Sequence, residues 1–351
     1  MADEGHDEER ADRRSRGASF LQSALRRVSL EFNSRPSSPS KTSPFKERTS
    51  LTKEKNSPVK GKTDPVKEED PSPIVARGPW AGIDLYKFIN IPEDAIPMKA
   101  FLTQYSGIPA EDTAAHLVRM QARLWAVYPN ACVSQFRFAF LGFTDDLFYR
   151  GMLSQLLTAK LHSRAEMRLL DVGCCVGQVL RKIAADGVDS SWLYGADIEP
   201  RFQELGYELF NDRNKFKAKF VVGDVLTRDS TDKRLDVLDG KMTFVHASSF
   251  FHMFTWDDQL RAAMRMIRFL DPKAPSAMIF GRQAATLRPN AHQIGANHAY
   301  LHSPETWQKL WDEVGERTGT KWDATMILTG SFQMFGPESA LRKASFCVQQ
   351  I

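Results

Sequence analysis

The sequence contains no long hydrophobic run. No stretch of it approaches the ~18 consecutive apolar residues that a membrane-spanning helix needs. Its first residues are acidic, unlike the positively charged start of a signal peptide or a transit peptide. We therefore expect a soluble, cytoplasmic protein without integral membrane association.

Cysteine is also scarce. The four cysteines are Cys132, Cys174, Cys175 and Cys347, and no pair has the C-x-x-C spacing of a metal or redox site. Adjacent cysteines rarely bridge each other, so we expect reduced thiols in a reducing compartment. We interpret Cys174 and Cys175 as small residues in a turn, and a catalytic thiol is the alternative.

No complete set of metal ligands is evident. His292, His298 and His302 are spaced six and four residues apart, which could bring two of them together on a helical turn. No cysteine or carboxylate completes a zinc set around them. We therefore predict that the protein has no metal site.

Neither sign of charge dominates. The formal net charge is +4, and the basic residues are interspersed with acidic ones. A nucleic-acid-binding protein is expected to cluster its basic residues on one surface. We therefore predict no nucleic-acid partner.

Aromatic residues are rare in residues 1–78, which are rich in Ser, Pro, Lys, Arg and Glu. Because such a composition cannot offset the entropy of ordering the chain, this tail is predicted to be disordered. Aromatic residues become frequent from residue 79, and residues 79–160 are predicted to form an N-terminal helical cap. Residues 161–351 alternate between strand-like and helix-like segments and are predicted to form one α/β core.

Residues 169–178 organise this core. An apolar run ends at Asp171, passes through small residues including Gly173 and Gly177, and leads into a segment with helical spacing. Such a strand, tight turn and helix open a nucleotide-binding sheet. Glycines let the backbone approach a ligand closely, and the start of the helix offers free N–H groups. The turn is therefore the predicted ligand site.

The spacing within the turn argues against a dinucleotide. Counted from Gly173, the next two glycine positions of the G-x-G-x-x-G fingerprint hold Cys175 and Gln178. Asp171 would also lie close to the place where a pyrophosphate binds, which is unfavourable for an anion. S-adenosylmethionine instead carries an ammonium, a sulfonium and a carboxylate, so a strand-end carboxylate suits its methionine end. We therefore predict S-adenosylmethionine as the cofactor.

Two further apolar strands end in aspartate. Asp197 lies twenty residues after Gly177, about the distance at which an acidic residue accepts hydrogen bonds from ribose hydroxyls, and Asp224 ends a third strand. Ordinary helix-capping aspartates are the alternative, but capping does not explain the glycine turn and the ribose spacing together. The predicted cofactor-binding residues are Asp171, Gly173, Cys174, Gly177, Asp197, Ile198, Asp224, Val225 and Ala247.

The alternation of strands and helices predicts a doubly wound, Rossmann-like α/β sheet of the class I methyltransferase type. An antiparallel hairpin is predicted to close the sheet, from residues 321–328 and 345–349. The other predicted elements are helices at 152–160, 202–210, 256–270 and 306–315 and strands at 192–196, 220–222, 241–247 and 277–281.

The sequence around the turn resembles the class I methyltransferases of fungal meroterpenoid and related secondary-metabolite clusters. Their LD-[LV]-GCC-x-GQ turn is unusual among methyltransferases, and it matches LDVGCCVGQ at residues 170–178. The segments at 193–197 and 205–213 also match, and the similarity extends more loosely from about Trp125 to the C-terminus. The resemblance implies methylation of small polycyclic acids or phenols, with methyl esters among the products.

The resemblance also concerns the cap. Tyr128, Pro129 and Cys132 match the family's Y-P-x-x-C segment. We expect residues 128–138 to form part of a lid over the substrate. Helical packing without ligand contact is the alternative.

In this fold the methyl acceptor lies beyond the carboxyl end of the fourth strand, here residues 246–254 (HASSFFHMF). The aromatic content of this segment suits a flat polycyclic acceptor. His252 is the predicted catalytic residue, as a base or as the group that orients the acceptor. Plain core packing is the alternative for the aromatic residues and for this histidine. The predicted substrate contacts are Phe250, Phe251, His298 and His302.

These observations favour a small-molecule O-methyltransferase of fungal secondary-metabolite biosynthesis that acts on a carboxylate or a phenol. A homodimer is compatible with this function. Residues 247–250 (ASSF) lack the Asn/Asp-Pro-Pro-Tyr/Phe motif of many enzymes that methylate nucleobases. Two other functions stay open: a protein methyltransferase, and a regulatory or interaction protein that binds S-adenosylmethionine with vestigial catalysis.

Overall fold

The computed structural model describes residues 90–162, 167–294, 297–331 and 340–351. The predicted disorder of residues 1–78 and the start of the cap at residue 79 lie outside these ranges. The strands in the described ranges are β1 (Leu169–Val172), β2 (Leu193–Asp197), β3 (Lys219–Val222), β4 (Phe244–His246), β5 (Met278–Thr286), β6 (Asn290–Ile294), β7 (Asn297–Leu301), β8 (Trp322–Ser331) and β9 (Leu341–Gln350).

The helices divide between the cap and the core. The cap contains α1 (Ile96–Phe101), α2 (Thr113–Val127), α3 (Ala131–Ser134) and α4 (Leu147–Leu161), joined by short 3-10 and π-helical turns. The core contains α5 (Gln178–Ala185), α6 (Arg201–Phe210), α7 (Trp256–Phe269) and α8 (Pro304–Thr318).

Seven strands form one sheet in the order β3-β2-β1-β4-β5-β9-β8. The strands from β3 to β5 are parallel, whereas β9 and β8 are antiparallel to their neighbours. This confirms the predicted doubly wound sheet and its closing antiparallel hairpin. The chain leaves β1 towards β3 and then returns to β4 on the other side of β1. The strand order therefore reverses between β1 and β4, where ligands bind in such sheets.

A separate hairpin of β6 and β7 was not predicted. His292 lies in β6 and His298 in β7, in antiparallel strands that pair Gln293 with His298. The idea that the spaced histidines meet on a helical turn is therefore wrong. Their sequence spacing gave no sign of the reversal between the two strands.

The central strands are buried on both faces. All four positions of β1 are buried, as expected for a parallel strand with helices on either side. Leu169, Phe244 and Phe280 belong to one apolar cluster, which the cap helices cover. Leu170 and Val245 belong to a second cluster on the opposite face, together with α7 and α8. The cap therefore packs on the same face as the side chains of Leu169 and Asp171, since alternate strand residues share a face.

One buried cation lies beneath the glycine turn. Arg181 of α5 is fully buried, and its guanidinium forms two hydrogen bonds with the carboxylate of Asp212, at 2.8 and 3.0 Å. The rings of Phe210 and Phe216 lie 4.7 and 4.5 Å from the guanidinium carbon. Both charges are thus desolvated, so each depends on the other.

The same ion pair connects three parts of the fold. Arg181 also donates to the main-chain oxygen of Val176 in the turn, at 2.7 Å. The hydroxyl of Tyr105, which belongs to the cap, donates to Asp212 at 2.8 Å. The turn, the end of α6 and the cap therefore share one set of polar contacts.

Among the described residues, no helix combines the length and the apolar character that a membrane span requires.

We predict that Arg181→Met lowers the free energy of unfolding of the full chain by about 3–5 kcal/mol, because Asp212 is left buried without its partner. Chemical denaturation followed by circular dichroism measures the change. Arg234→Met is the matched control, since Arg234 forms an exposed pair with Asp232, and it should leave stability unchanged. Equal effects of the two substitutions would contradict the prediction.

Candidate active site

The turn after β1 requires its two glycines. Gly173 and Gly177 have φ values of +69° and +66°. A Cβ atom on Gly173 would lie 3.2 Å from the ring of Phe250, and one on Gly177 would lie 2.8 Å from the guanidinium of Arg181. The amide of Gly173 donates to the carbonyl of Ala196 in β2, at 2.8 Å. The turn is thus held close to the end of the neighbouring strand.

Cys175 adopts a backbone conformation that favours glycine. Its φ is +48°, and its amide donates to Oδ2 of Asp197 at 2.8 Å. Such a conformation persists where surrounding contacts determine it, and this hydrogen bond is one of them. Burial, together with the negative charge of Asp197, raises the pKa of both Cys174 and Cys175 well above the ordinary range. Both thiols therefore stay protonated, which suits turn residues and not nucleophiles.

The three predicted aspartates lie at one edge of the sheet. Asp171 is the last residue but one of β1, and Asp197 is the last residue of β2. Asp224 follows the end of β3 by two residues. Because β1, β2 and β3 are parallel, their carboxyl ends meet at the same edge. Asp224 Oδ1 also accepts from the amide of Leu226 at 2.8 Å, within its own loop.

Asp197 has the most perturbed carboxyl group at this edge. Its two oxygens accept hydrogen bonds from the amides of Cys175 and Glu199, at 2.8 and 3.0 Å. The pKa of Asp197 is nevertheless raised to about 6, because burial and, to a smaller extent, the negative charge of Asp171 outweigh the lowering effect of these amides. Ile198, the next residue, is 57% exposed and lies open to the solvent.

A crevice lies beside the turn. It is lined by Cys174, Cys175, Asp197, Gln203 and Phe220, among others. A larger cleft of about 510 Å³ lies between α2 and α6, away from the three aspartates. Its charged side chains pair with one another, as the bonds from Arg123 to Glu208 and from Arg213 to Glu204 show.

The segment after β4 approaches the turn from the other side. Ala247 is buried, and its amide donates to the carbonyl of Phe280 at 2.9 Å. The ring of Phe250 lies close to Gly173, and its predicted contact with substrate stays a prediction. Phe251 is fully buried against Trp307, with ring centres 5.2 Å apart, so its placement matches the core-packing alternative. Its contact with substrate stays a prediction.

His252 is partly buried near the end of β5. Its Nδ1 accepts from the amide of Ala284, at 3.4 Å. Burial, together with the positive charge of Arg137 from the cap, lowers the pKa of His252 to about 4. Arg282 of β5 also reaches the cap, where it donates to the carbonyl of Gly142 at 2.6 Å. The cap therefore covers the segment that contains His252.

The other predicted substrate histidines lie on or after β7. His298 belongs to β7, and His302 follows it. His302 is buried, its Nε2 and Nδ1 lie 2.9 and 3.2 Å from side-chain oxygens of Gln259 and Thr306, and burial lowers its pKa to about 3. Both nitrogens are therefore engaged within the protein. The roles of His298 and His302 in acceptor recognition stay predictions.

The sequence reasoning missed a polar chain between β1 and β4. Nδ1 of His246 lies 2.7 Å from Oδ1 of Asp171, and Oγ of Ser248 lies 2.7 Å from Nε2 of His246. Asp171 and His246 are direct neighbours in the register of the two strands. The sequence signal was a histidine at the end of the fourth strand, but the strand pairing that gives it a partner is not visible in the sequence.

The residues at this edge fit S-adenosylmethionine. Gly173 and Gly177 hold the turn in the backbone conformation that ligand-binding turns need, and the carboxylates of Asp171 and Asp197 offer acceptors for an ammonium and for ribose hydroxyls. In the described part of the chain, no group of three or more His, Cys, Asp or Glu side chains could hold a metal ion. The donor set therefore suits an organic cation.

Comparison with known proteins agrees with this site. Residues 85–139 match a family model described as a meroterpenoid methyltransferase N-terminal domain, and residues 169–273 match a methyltransferase domain. O-methyltransferase phiE of a fungal species (strain ATCC 74256) is 36% identical, over 66% of this chain and 74% of its own length. O-methyltransferase atr3 of Stereocaulon alpinum is 34% identical, over 66% and 65% of the two chains. Asnovolin E/Chermesin D methyltransferase nvfJ of Aspergillus novofumigatus is 30% identical, over 64% and 78%.

The parallel sheet with its antiparallel closing strands and its glycine turn is that of a class I methyltransferase, an enzyme that uses S-adenosylmethionine. Within this class, the chain belongs to the methyltransferases of fungal secondary-metabolite clusters that include phiE and nvfJ. The predicted family and cofactor are thereby confirmed.

We predict that binding of 5′-methylthioadenosine, which has a ribose but no amino acid, strengthens as the pH rises through about 6. Ribose hydroxyls donate to the ionised form of Asp197, so the affinity should fall by about tenfold per pH unit below that value and level off above it. Calorimetry between about pH 5 and pH 8 measures this dependence. Asp197→Asn should bind more weakly with a flat profile, and a flat wild-type profile would contradict the prediction.

Proposed function

We propose that this enzyme transfers the methyl group to an oxygen atom of a small organic acceptor, a carboxylate or a phenol, in fungal secondary-metabolite biosynthesis. One observation carries the proposal. The segment after β4 places Phe250 against Gly173 of the glycine turn, with the ring of Phe254 5.0 Å from that of Phe250, and the same segment carries His252. An aromatic, half-buried wall of this kind suits a flat acceptor.

The protonation state of His252 favours a hydrogen-bond donor over a base. A pKa of about 4 keeps the imidazole neutral at physiological pH. Because Nδ1 accepts from the amide of Ala284, the ring proton is on Nε2. His252 would therefore orient the acceptor by donating to its oxygen, which supports the orienting role and weakens the role of general base.

Arg137 adds a positive charge beside this histidine. Its Nε donates to Gln135 at 2.9 Å, and its guanidinium forms no ion pair with any residue that the structure describes. The side chain is half-buried and acts on the pKa of His252. A half-buried guanidinium without a carboxylate partner among the described residues favours an acceptor oxygen that carries negative charge.

The reaction places modest demands on these residues. S-adenosylmethionine supplies a methyl group on a sulfonium, whose thioether leaving group needs no proton. The protein must therefore align the acceptor oxygen and exclude water. A carboxylate, with an ordinary pKa near 4, is already ionised at neutral pH, whereas a phenol, with a pKa near 10, benefits from the positive charge of Arg137. The relatives phiE and atr3 are both O-methyltransferases, which supports oxygen as the acceptor atom.

The test uses methyl-labelled S-adenosylmethionine with a panel of polycyclic aromatic acids and phenols. We expect label in the organic extract, and mild alkaline hydrolysis then separates methyl esters, which release methanol, from aryl methyl ethers, which survive. Label that enters only the protein fraction of a cell lysate would instead indicate a protein methyltransferase. Binding of the cofactor without transfer to any acceptor would indicate a regulatory protein.

For an acceptor found in that panel, we predict that Arg137→Met raises KM by about 10- to 100-fold, because a charged hydrogen bond is lost. The Kd for S-adenosylmethionine should change little, and Arg137→Lys should have an intermediate effect since it keeps the charge. Arg150→Met in α4 is the matched control, because Arg150 is exposed and pairs with Asp145.

A second measurement separates this role from simple packing. Removal of the Arg137 charge should raise the pKa of His252, which NMR titration can follow. An unchanged KM together with an unchanged histidine titration would contradict the assignment.

A further inference from the structure

The side chains of Asp171, His246 and Ser248 are connected in series by hydrogen bonds. Asp171 and His246 are buried, and their contact measures 2.7 Å. Ser248 Oγ lies 2.7 Å from the other ring nitrogen of His246 and accepts from the amide of Arg282 at 3.0 Å. The ring of Phe280 packs beside the imidazole, with centres 5.1 Å apart. The imidazole is therefore fixed on three sides.

One arrangement of protons satisfies every member. An ionised carboxylate can only accept, so Nδ1 of His246 carries the proton that Asp171 accepts. Nε2 then accepts from the hydroxyl of Ser248, whose oxygen accepts from the Arg282 amide. Each donor in the chain has a single acceptor, which defines the orientation of the Asp171 carboxylate.

The second oxygen of Asp171 stays available. Within the described ranges, His246 is the one group that hydrogen-bonds to this carboxylate, and no lysine or arginine pairs with it. Asp197, at the end of the adjacent strand, is close enough for the charge of Asp171 to raise its pKa. Two neighbouring carboxylates at the carboxyl edge of adjacent parallel strands, with no lysine or arginine in the described ranges paired to Asp171, favour a cationic ligand.

We propose that His246 and Ser248 are positioning residues, which hold the carboxylate of Asp171 towards the ammonium group at the methionine end of the methyl donor. Asp171 is then the binding residue, and the two others act through it. The proposal applies whether the acceptor is a carboxylate or a phenol. It assigns a function to His246, at the end of β4, and to Ser248, two residues later, which hydrogen-bond to each other.

The test compares two ligands by calorimetry on the full chain. S-adenosylhomocysteine carries the ammonium, whereas 5′-methylthioadenosine has the same nucleoside and thioether but no amino acid. His246→Ala should weaken binding of S-adenosylhomocysteine by about 10- to 100-fold, because the carboxylate loses its orienting donor. Binding of 5′-methylthioadenosine should stay within about twofold of wild type, which also shows that the variant is folded.

Two further variants sharpen the comparison. His246→Asn places an amide N–H near the position of Nδ1 and should restore most of the affinity for S-adenosylhomocysteine. Ser248→Ala should cause a smaller loss than His246→Ala, since it acts one bond further from Asp171. His116→Asn is the matched control, because His116 is a buried histidine on α2 that bonds to the carbonyl of Leu209. It should not change the ratio of the two affinities.

Three results would overturn the proposal. Equal weakening of both ligands would mean that His246 merely stabilises the edge of the sheet. Unchanged affinities would mean that Asp171 needs no partner. Lost turnover with unchanged affinity for S-adenosylhomocysteine would place the histidine on the acceptor side. Since calorimetry uses no acceptor, these results are independent of whether the enzyme methylates an oxygen.

Discussion

The buried ion pair between Arg181 and Asp212 is the contact on which the cofactor site depends. The guanidinium of Arg181 donates a hydrogen bond to the main-chain oxygen of Val176 in the glycine turn. The carboxylate of Asp212 accepts a hydrogen bond from the hydroxyl of Tyr105 in the cap. A charge taken out of water in this way requires a complete set of partners. The turn, α6 and the cap must therefore assemble together, and movement of one changes the surroundings of the same cation.

Two histidines near the end of β4 show how the environment separates one residue type into two roles. His246 contacts a carboxylate and a hydroxyl, so both of its nitrogens are committed. His252 lies near a positive charge and has a lowered pKa, so it remains neutral with one nitrogen bonded to a backbone amide. His246 therefore suits the binding site of the methyl donor, and His252 suits recognition of the oxygen atom of the methyl acceptor.

The sequence predicted the parts of this site that depend on local pattern. Strand-end aspartates such as Asp171 and Asp197 could be placed together because parallel strands share their carboxyl edge. Contacts that depend on strand register or on tertiary packing could not be predicted. The pairing of His246 with Asp171 needs the alignment of β4 with β1, and Arg181 lies in a short helix whose other basic residue, Lys182, is partly exposed. The pairing of β6 with β7 was missed for the same reason.

The strand order also has a consequence for how the protein is made. β9 is the last strand along the chain, yet it lies inside the sheet, between β5 and β8. Until residues 341–350 leave the ribosome, β5 keeps an unpaired edge over nine positions, from Met278 to Thr286. The nascent sheet therefore exposes a strand that can pair with other chains, and molecular chaperones have a defined interval in which to protect it.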